Sequence, residues 1–530
     1  MNSSPVLPGP SDARSNGPWK AVRKLLPWRR PEKELRPQTL VDVVRWRAEV
    51  QPDDLACMFL PDGDGDEVRL SYRDIDQQAR SIGAWLQEQG AGGSRVLLLY
   101  PPGKDYVAAF LGCLYAGAVA VPAYPPRSNQ LLARLQLIAE DTKAPLALTT
   151  NQVLAKVERQ IEDTSDLKRL RWLATDGVVT GHEARWKRPA ITGDSLAFLQ
   201  YTSGTTARPK GVMISHSNLI YNAELIRNCF ETTRATHGLF WLPLYHDMGL
   251  IGGVVQPLYG GCPVTFMSPV SFLHRPLRWL EMISRYRATV SGGPNFAYDL
   301  CVSKATPEHI AALDLSCWEI AFTGAEPIRA ETMVRFSDIF GSCGFRREAF
   351  YPCYGLAESV VMVSGGKRLS QPVVRAFDAA SLEYHQVAPA TDPATARMLV
   401  GCGQTRLDQK IVIVNPDTMA PCAANEVGEI WVAGPSVAKG YWNQPELTQH
   451  AFEARLSGSG EGPFLRTGDL GFLGDNDLFV TGRIKDLIII RGRNYYPQDI
   501  ELTVEQCHPA VRRDGSAAFA AEVDEQERLV

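Results

Sequence analysis

A chain of 530 residues with 45% hydrophobic content amounts to roughly three to four domain-lengths and can bury several cores, which excludes a small stapled scaffold. Its 55 Lys and Arg against 59 Asp and Glu leave a net charge of −4, so neither a nucleic-acid footprint nor an acidic, disordered solvating chain is indicated. Eleven cysteines without a C-x-x-C pair read as reduced thiols of a cytoplasmic protein, not as a disulfide framework or a zinc site. The longest apolar run, 107–121, contains two glycines and stops at Pro122, too short and too broken to span a bilayer. No charged n-region with an apolar h-region opens the chain, so secretion is not expected.

Residues 1–38 are rich in Pro, Ser, Gly and charge and are expected to form a disordered basic leader. Within them Lys20, Arg23, Lys24, Arg29, Arg30 and Lys33 are interleaved with Leu25, Leu26 and Trp28. That mixture fits a surface-docking peptide, yet Pro27 and Pro31 prevent a long amphipathic helix and favour a solvated leader. From there the spacing predicts a helix at 41–48, a short strand at 69–72, an amphipathic helix at 75–90, an apolar strand at 95–100, a helix at 104–117 and a strand at 118–121. Strand, helix, buried strand is the pattern of a doubly wound, mostly parallel α/β sheet. Similar alternation returns over 197–364.

After Gly365 short alternating strands, 410–414 and 429–432, predict a smaller β-rich, barrel-like subdomain. The loop 457–462 contains G-x-G-x-G but has no strand before it and no helix after it, so it is no dinucleotide fingerprint. A new unit opens near Gly482. The expected division is a leader over 1–38, two α/β subdomains over 39–370 that bind nucleotide and acid, a β-rich subdomain over 371–481, and the start of a small mobile α+β domain over 482–530.

The segment 200–212, QYTSGTTARPKGV, follows an apolar strand. Small residues with two glycines let successive backbone N–H groups converge on one anion, while Thr202, Ser203, Thr205 and Thr206 add hydroxyls and Lys210 a positive charge. Such a loop cradles phosphate. Pro209 before Lys210 and Gly211 after it rule out the G-x-x-x-x-G-K-[ST] pattern.

This loop resembles the phosphate-binding signature of the adenylate-forming superfamily of acyl-CoA synthetases, peptide-synthetase adenylation domains and luciferases. Tyr354-Gly355-Leu356-Ala357-Glu358, Thr467-Gly468-Asp469 and Gly482-Arg483 with Lys485-Asp486 match in the same order. Within the superfamily the chain is most similar to fatty acyl-AMP ligases, through 98–126, WLPLYHDMGLIGG at 241–253, GGPNFAYDLC at 292–301, FTGAEPI at 322–328 and 482–501.

The resemblance implies ATP and Mg²⁺ as cofactors, with Thr202, Ser203, Gly204, Thr205, Thr206 and Lys210 around the departing pyrophosphate. Two anions must meet in such a reaction, so fixed positive and hydrogen-bonding groups are needed in advance. It implies Glu358 as the magnesium carboxylate, Tyr354 with Gly355 as the face for adenine, and Gly324, Ala325 and Glu326 as the wall against the base. Asp469 would accept from the ribose hydroxyls, and Arg483, beside a hinge at Lys485, would reach ribose or α-phosphate. His246 either contacts the acyl carboxylate or phosphate or is structural, and residues 291–298 either line the acyl tunnel or pack.

Asp247 sits where amino-acid adenylation domains hold an ammonium partner, but its setting after His246 is like that of the fatty-acid branch. About forty residues between Glu358 and 400–403, centred on 367–397, look like the insertion that in fatty acyl-AMP ligases restrains the small domain, so that the acyl group passes to an acyl carrier protein instead of CoA. No residue matches the family's late catalytic lysine, so the chain is either cut from a longer polypeptide, the expected case, or a naturally short form, and it is expected to adenylate weakly. The expected activity is therefore fatty acid-AMP ligation for an acyl carrier protein, without a nucleic-acid partner. The alternatives are a fatty acyl-CoA synthetase and a non-catalytic acyl-adenylate-binding module.

Overall fold

The computed structural model describes residues 37–60, 67–125, 129–161, 167–177, 181–202, 209–490, 493–508, 510–511, 515–523 and 526–530. Nearly all of the expected leader, and Ser203, Gly204, Thr205 and Thr206 of the phosphate-loop motif, lie outside them.

The first described helix, Leu40–Val50, starts where the Thr39 hydroxyl accepts from the Asp42 N–H and the Asp42 carboxylate accepts in return, a capping box. Ser71 and Asp74 repeat the device, so the predicted helix at 75–90 begins earlier and runs Tyr72–Glu88. It packs on Lys104–Ala116 through glycine. A Cβ on Gly112 would stand 2.4 Å from Ile82, and one on Gly83 would stand 2.8 Å from Tyr115. This is why Lys104–Ala116, apolar nearly all round, is buried from Tyr106 to Ala116.

Two sheets carry the α/β part. The six-stranded sheet runs Arg171–Ala174, Leu146–Thr149, Arg95–Leu98, Val119–Pro122, Leu196–Thr202 and Lys210–Ser215, parallel except for the last strand. The eight-stranded sheet has a parallel centre built from Leu55–Leu60, Val264–Met267, Gly238–Phe240, Val290–Gly292, Ile320–Thr323 and Phe350–Tyr354, with antiparallel edges Val68–Ser71 and Ser364–Gly365. The doubly wound reading is therefore borne out. The early strand predicted at 69–72 belongs to the second sheet, where Leu55–Leu60 pairs with Val264–Met267 in the register Cys57↔Val264.

A four-stranded antiparallel sheet, Lys410–Val414, Gly428–Ala433, Leu465–Gly474 and Asp477–Arg483, forms the β-rich part. Ahead of it a hairpin, Val374–Asp378 with Ala396–Val400, occupies the predicted insertion. Beyond it stand the hairpin Ile488–Ile490 with Arg493–Tyr495 and the helix Pro497–Cys507.

One buried carboxylate organises the four-stranded sheet. Glu429, 2% exposed, accepts from the Trp431 indole at 2.9 Å, from Arg466 Nε at 2.9 Å and from the Gly468 N–H at 3.0 Å. A buried charge is tolerated when both its oxygens are occupied in this way. Glu429→Ala, which strands the Arg466 guanidinium, is expected to cost about 3–5 kcal/mol, read as a lowered midpoint of thermal or denaturant unfolding. Glu429→Gln, which keeps an acceptor, should lose clearly less.

Candidate active site

Lys210 opens the last strand of the six-stranded sheet, paired across the hairpin with Thr202. The six residues between Thr202 and Pro209 lie outside the described set, so the hairpin ends place the loop without showing it. Thr202 is held from behind, where its carbonyl accepts from Arg134 Nη2 at 3.0 Å. Along the other side of Lys210–Ser215 runs the segment 439–442, through Lys439 N–H to Met213 O, Met213 N–H to Gly440 O and Trp442 N–H to Gly211 O. This seam puts the Tyr441 ring 5.2 Å from the Lys210 ammonium, a cation–π contact.

The Tyr441 hydroxyl donates to Glu358 Oε1 at 2.7 Å. Tyr441 thus bridges the Lys210 strand and the Glu358 turn, which comes after the strand Phe350–Tyr354. The turn is tight: a Cβ on Gly355 would stand 1.7 Å from Val361 O. Burial pushes the Glu358 carboxyl above the usual range, against the Tyr441 hydrogen bond that lowers it. Among the described residues no group of three or more His, Cys, Asp or Glu is placed to cage a metal. A single carboxylate nevertheless fits Mg²⁺, which keeps its waters and binds through one or two carboxylates plus phosphate oxygens.

Tyr354 ends its strand with its hydroxyl donating to Asp469 Oδ2 at 2.7 Å, and Arg483 Nε donates to Asp469 Oδ1 at 3.0 Å. Each oxygen of Asp469 keeps a lone pair for a further donor. Burial raises the Asp469 carboxyl, and Arg483 and Tyr354 pull it back down. Glu429 fixes the turn that presents it, through the Gly468 N–H. Gly468 lies in the left-handed region at φ 73°, which glycine adopts freely.

Thr202, Lys210, Tyr354, Gly355, Glu358, Asp469, Arg483, His246 and Ala325 all border one cavity of about 770 Å³. Gly324 and Glu326 do not. A Cβ on Gly324 would stand 2.8 Å from Cys353 O, so this residue serves the close packing of the two strands. Glu326 accepts from the Asn295 N–H at 2.6 Å and faces a second cavity of about 720 Å³ that shares Ala325, Tyr354 and Asp469 with the first. Ala325 turns the wall at φ 69°, a left-handed conformation that costs a non-glycine residue about 1–3 kcal/mol.

His246 and Asp247 stand at the rim as a pair, Nδ1 to Oδ1 2.6 Å, and the Asp247 charge raises the His246 imidazole above its ordinary range. Asp247 also accepts from the Met248 N–H and so opens the π-helix Met248–Val255. Gly249 permits this turn, since a Cβ there would stand 2.1 Å from Pro243 O. Beyond the rim the cavity becomes an apolar sleeve that includes Ile226, Phe230, Phe240, Val290 and Phe322. Residues 291–298 are not part of that lining. Tyr298 is fully buried and donates to Phe322 O at 2.9 Å, and Ser291 is held by the Trp279 indole, so the packing alternative holds.

Tyr441, Glu429, Arg466 and Arg134 escaped the sequence reading. Tyr441 comes after Gly440 at φ 121°, and that left-handed glycine beside two aromatics was the available signal; the others carry charge that only the tertiary pairing makes special. Together the elements join a carboxylate, a lysine and an arginine at one end to an apolar sleeve at the other. Such a cavity can hold a polyanion next to the head of an apolar acid.

Residues 44–442 match the AMP-binding enzyme family. The chain is 47% identical to the medium-chain fatty acid acyl-carrier-protein ligase JamA of Moorena producens (strain JHB), over 93% of this chain and 84% of that protein. It is 35% identical to the long-chain fatty acid AMP ligase FadD23 of Mycobacterium tuberculosis (strain CDC 1551 / Oshkosh), over 93% and 85%. The crystal structure of a fatty acid AMP ligase from Legionella pneumophila superposes with a TM-score of 0.82 at 44% identity, covering 94% of this chain and 86% of that one. On this match of sequence and fold, the chain belongs to the AMP-binding enzyme family.

Proposed function

We propose that this protein is a fatty acid-AMP ligase. The acid's carboxylate attacks the α-phosphorus of ATP, the bond to the β-phosphate oxygen breaks, and acyl-adenylate and pyrophosphate form. The acyl group then passes to the phosphopantetheine thiol of an acyl carrier protein, with release of AMP. The observation that carries this reading is the single cavity that joins Lys210, Glu358 and Asp469 to an apolar sleeve. The names of the similar proteins, acyl-carrier-protein ligase and fatty acid AMP ligase, point the same way.

Lys210 and the hydroxyls of Thr202, Ser203, Thr205 and Thr206, with the Gly204 backbone, would bind the departing pyrophosphate. Tyr354, Gly355 and Ala325 would flank the adenine; Asp469 would accept from the ribose; Arg483 would neutralise the α-phosphate, and the His246–Asp247 pair would orient the acyl carboxylate. Glu358 would hold Mg²⁺, which when bound supplies charge neutralisation to the phosphates. The division proposed is a nucleotide- and acid-binding part to about residue 370, a β-rich part to 481 and a mobile segment from 482. The eleven cysteines are all free thiols, which accords with a cytoplasmic setting. Among the described residues no helix is long and apolar enough to cross a membrane.

The choice of a carrier protein over CoA is supported by how the insertion holds the C-terminal helix. Arg397 Nε lies 2.9 Å from Asp499 Oδ1, its guanidinium sits 4.3 Å from the Tyr496 ring, and the Asn494 amide donates to Glu383 O at 2.9 Å. Arg329 adds a 3.3 Å contact to Glu505. The helix Pro497–Cys507 is thereby fastened on two sides. In Arg397→Ala combined with Asn494→Ala, amide exchange in that helix should accelerate by about tenfold or more; unchanged exchange would mean that these contacts impose no restraint.

Two measurements test the nucleotide end. Lys210→Ala should weaken MgATP binding by about tenfold to a hundredfold in calorimetry, with the fold unchanged by circular dichroism. Because the folded pKa of Glu358 is raised, the folded protein keeps a proton that the unfolded chain releases. This destabilising contribution is absent below the ordinary carboxylate range and grows as pH rises through the folded pKa. A cation bound beside Glu358 restores ionisation, so MgATP binding at mildly acidic pH should release a proton, seen as a dependence of the heat on buffer ionisation enthalpy. Glu358→Gln should abolish that dependence.

A further inference from the structure

A second cation stands at the Lys210 end of the cavity. Arg134, on the helix Asn129–Thr142, borders the same space as Thr202 and Lys210. Its Nη2 donates to the Thr202 carbonyl at 3.0 Å, and Thr202 is paired across the hairpin with Lys210. Opposite residues of an antiparallel pair have Cα atoms about 4.5–5.5 Å apart, so the residue that receives Arg134 and the residue that carries the ammonium are neighbours. One cross-strand pair links the two cations.

What each cation meets is neutral. The Lys210 ammonium lies 5.2 Å from the Tyr441 ring, and Arg134 reaches a peptide carbonyl. Among the described residues neither is joined to a carboxylate in an ion pair. A guanidinium carries five N–H donors, of which the Thr202 carbonyl takes one. Like charges gathered at one end of a cavity repel, and a ligand with several negative charges relieves both at once.

Resting on the acyl-adenylate reading above, we propose that Arg134 is a phosphate-binding residue that acts with Lys210 on the β- and γ-phosphates of ATP and on the pyrophosphate that leaves. The planar fork of a guanidinium can hold two oxygens of one phosphate, which the point charge of an ammonium cannot. Tyr354, Asp469 and Arg483, which would meet the nucleoside and the α-phosphate, stand on other elements. A nucleotide without its two terminal phosphates therefore has no use for Arg134. The rival role is a prop, in which Arg134 only holds the Thr202 carbonyl in place.

The test uses the full chain and two ligands, MgATP and dodecanoyl sulfamoyl adenosine, a non-hydrolysable acyl-adenylate mimic without the terminal phosphates, with affinities measured by calorimetry. Arg134→Ala should weaken MgATP binding by about tenfold to a hundredfold and change affinity for the mimic by no more than about twofold. Arg134→Gln keeps an N–H donor for the Thr202 carbonyl but no charge, so it should bind MgATP as poorly as the alanine variant, while Arg134→Lys should recover part of the loss. These two variants decide the matter even if the alanine variant fails to fold. MgATP affinity restored by glutamine, an equal loss for both ligands, or unaltered MgATP affinity in Arg134→Ala would overturn the role and leave the proposed function standing. Failure of the unaltered protein to bind either ligand would overturn both.

Discussion

The site depends on a short backbone seam. Three hydrogen bonds tie the strand Lys210–Ser215 to the segment 439–442, which arrives from beyond the α/β sheets. The chain needs more than two hundred residues to return to this edge, and the return decides where Tyr441 stands. From there one phenol ring meets the Lys210 ammonium with its face and the Glu358 carboxylate with its hydroxyl. A cation and an anion that could otherwise collapse onto each other are thus both held by a neutral side chain. Their charges remain available to a ligand.

Three carboxylates in this neighbourhood show how burial and partnership divide structural from reactive roles. Glu429 is closed on every side by an indole, a guanidinium and a backbone amide, so it acts as a fixed anchor. Asp469 is engaged once on each oxygen and retains capacity for more. Glu358 has a neutral hydroxyl donor, and desolvation lifts its pKa. The order of increasing incompleteness is also the order of increasing suitability for binding something absent from the chain itself.

The cavity draws its two chemistries from different layers. Its charged end is made by strand ends and turns of the six-stranded sheet, the Glu358 turn and the four-stranded sheet, whose side chains converge on it. Its apolar end is carved into the eight-stranded sheet and the π-helix beside it, where Phe240, Val290 and Phe322 lie on neighbouring strands. The wide turn of the π-helix places Gly252 and Gly253 against Phe240, a Cβ on either standing 3.2–3.3 Å from its ring. Glycine there leaves the sleeve its width.

Local chemistry was legible in the sequence wherever it is decided by neighbours along the chain. Alternation of apolar strands with amphipathic helices specified the doubly wound sheets, and the glycine- and threonine-rich run before Lys210 raised the expectation of an anion site from its composition alone. Tyr354, Glu358, Asp469 and Arg483 were found by resemblance, and the fold brings them to one cavity. What the sequence could not supply was any relation that closes a long loop. The pairing of Leu55–Leu60 with Val264–Met267, the arrival of Tyr441 at Glu358 and the anchoring role of Glu429 each join residues with no periodic or spacing signal between them. Hydrogen-bond partners and burial belong to the packed chain, so the same Tyr, Glu or Gln reads identically in a string of letters whether it ends in solvent, in a core or in a site. Tertiary structure alone assigns it.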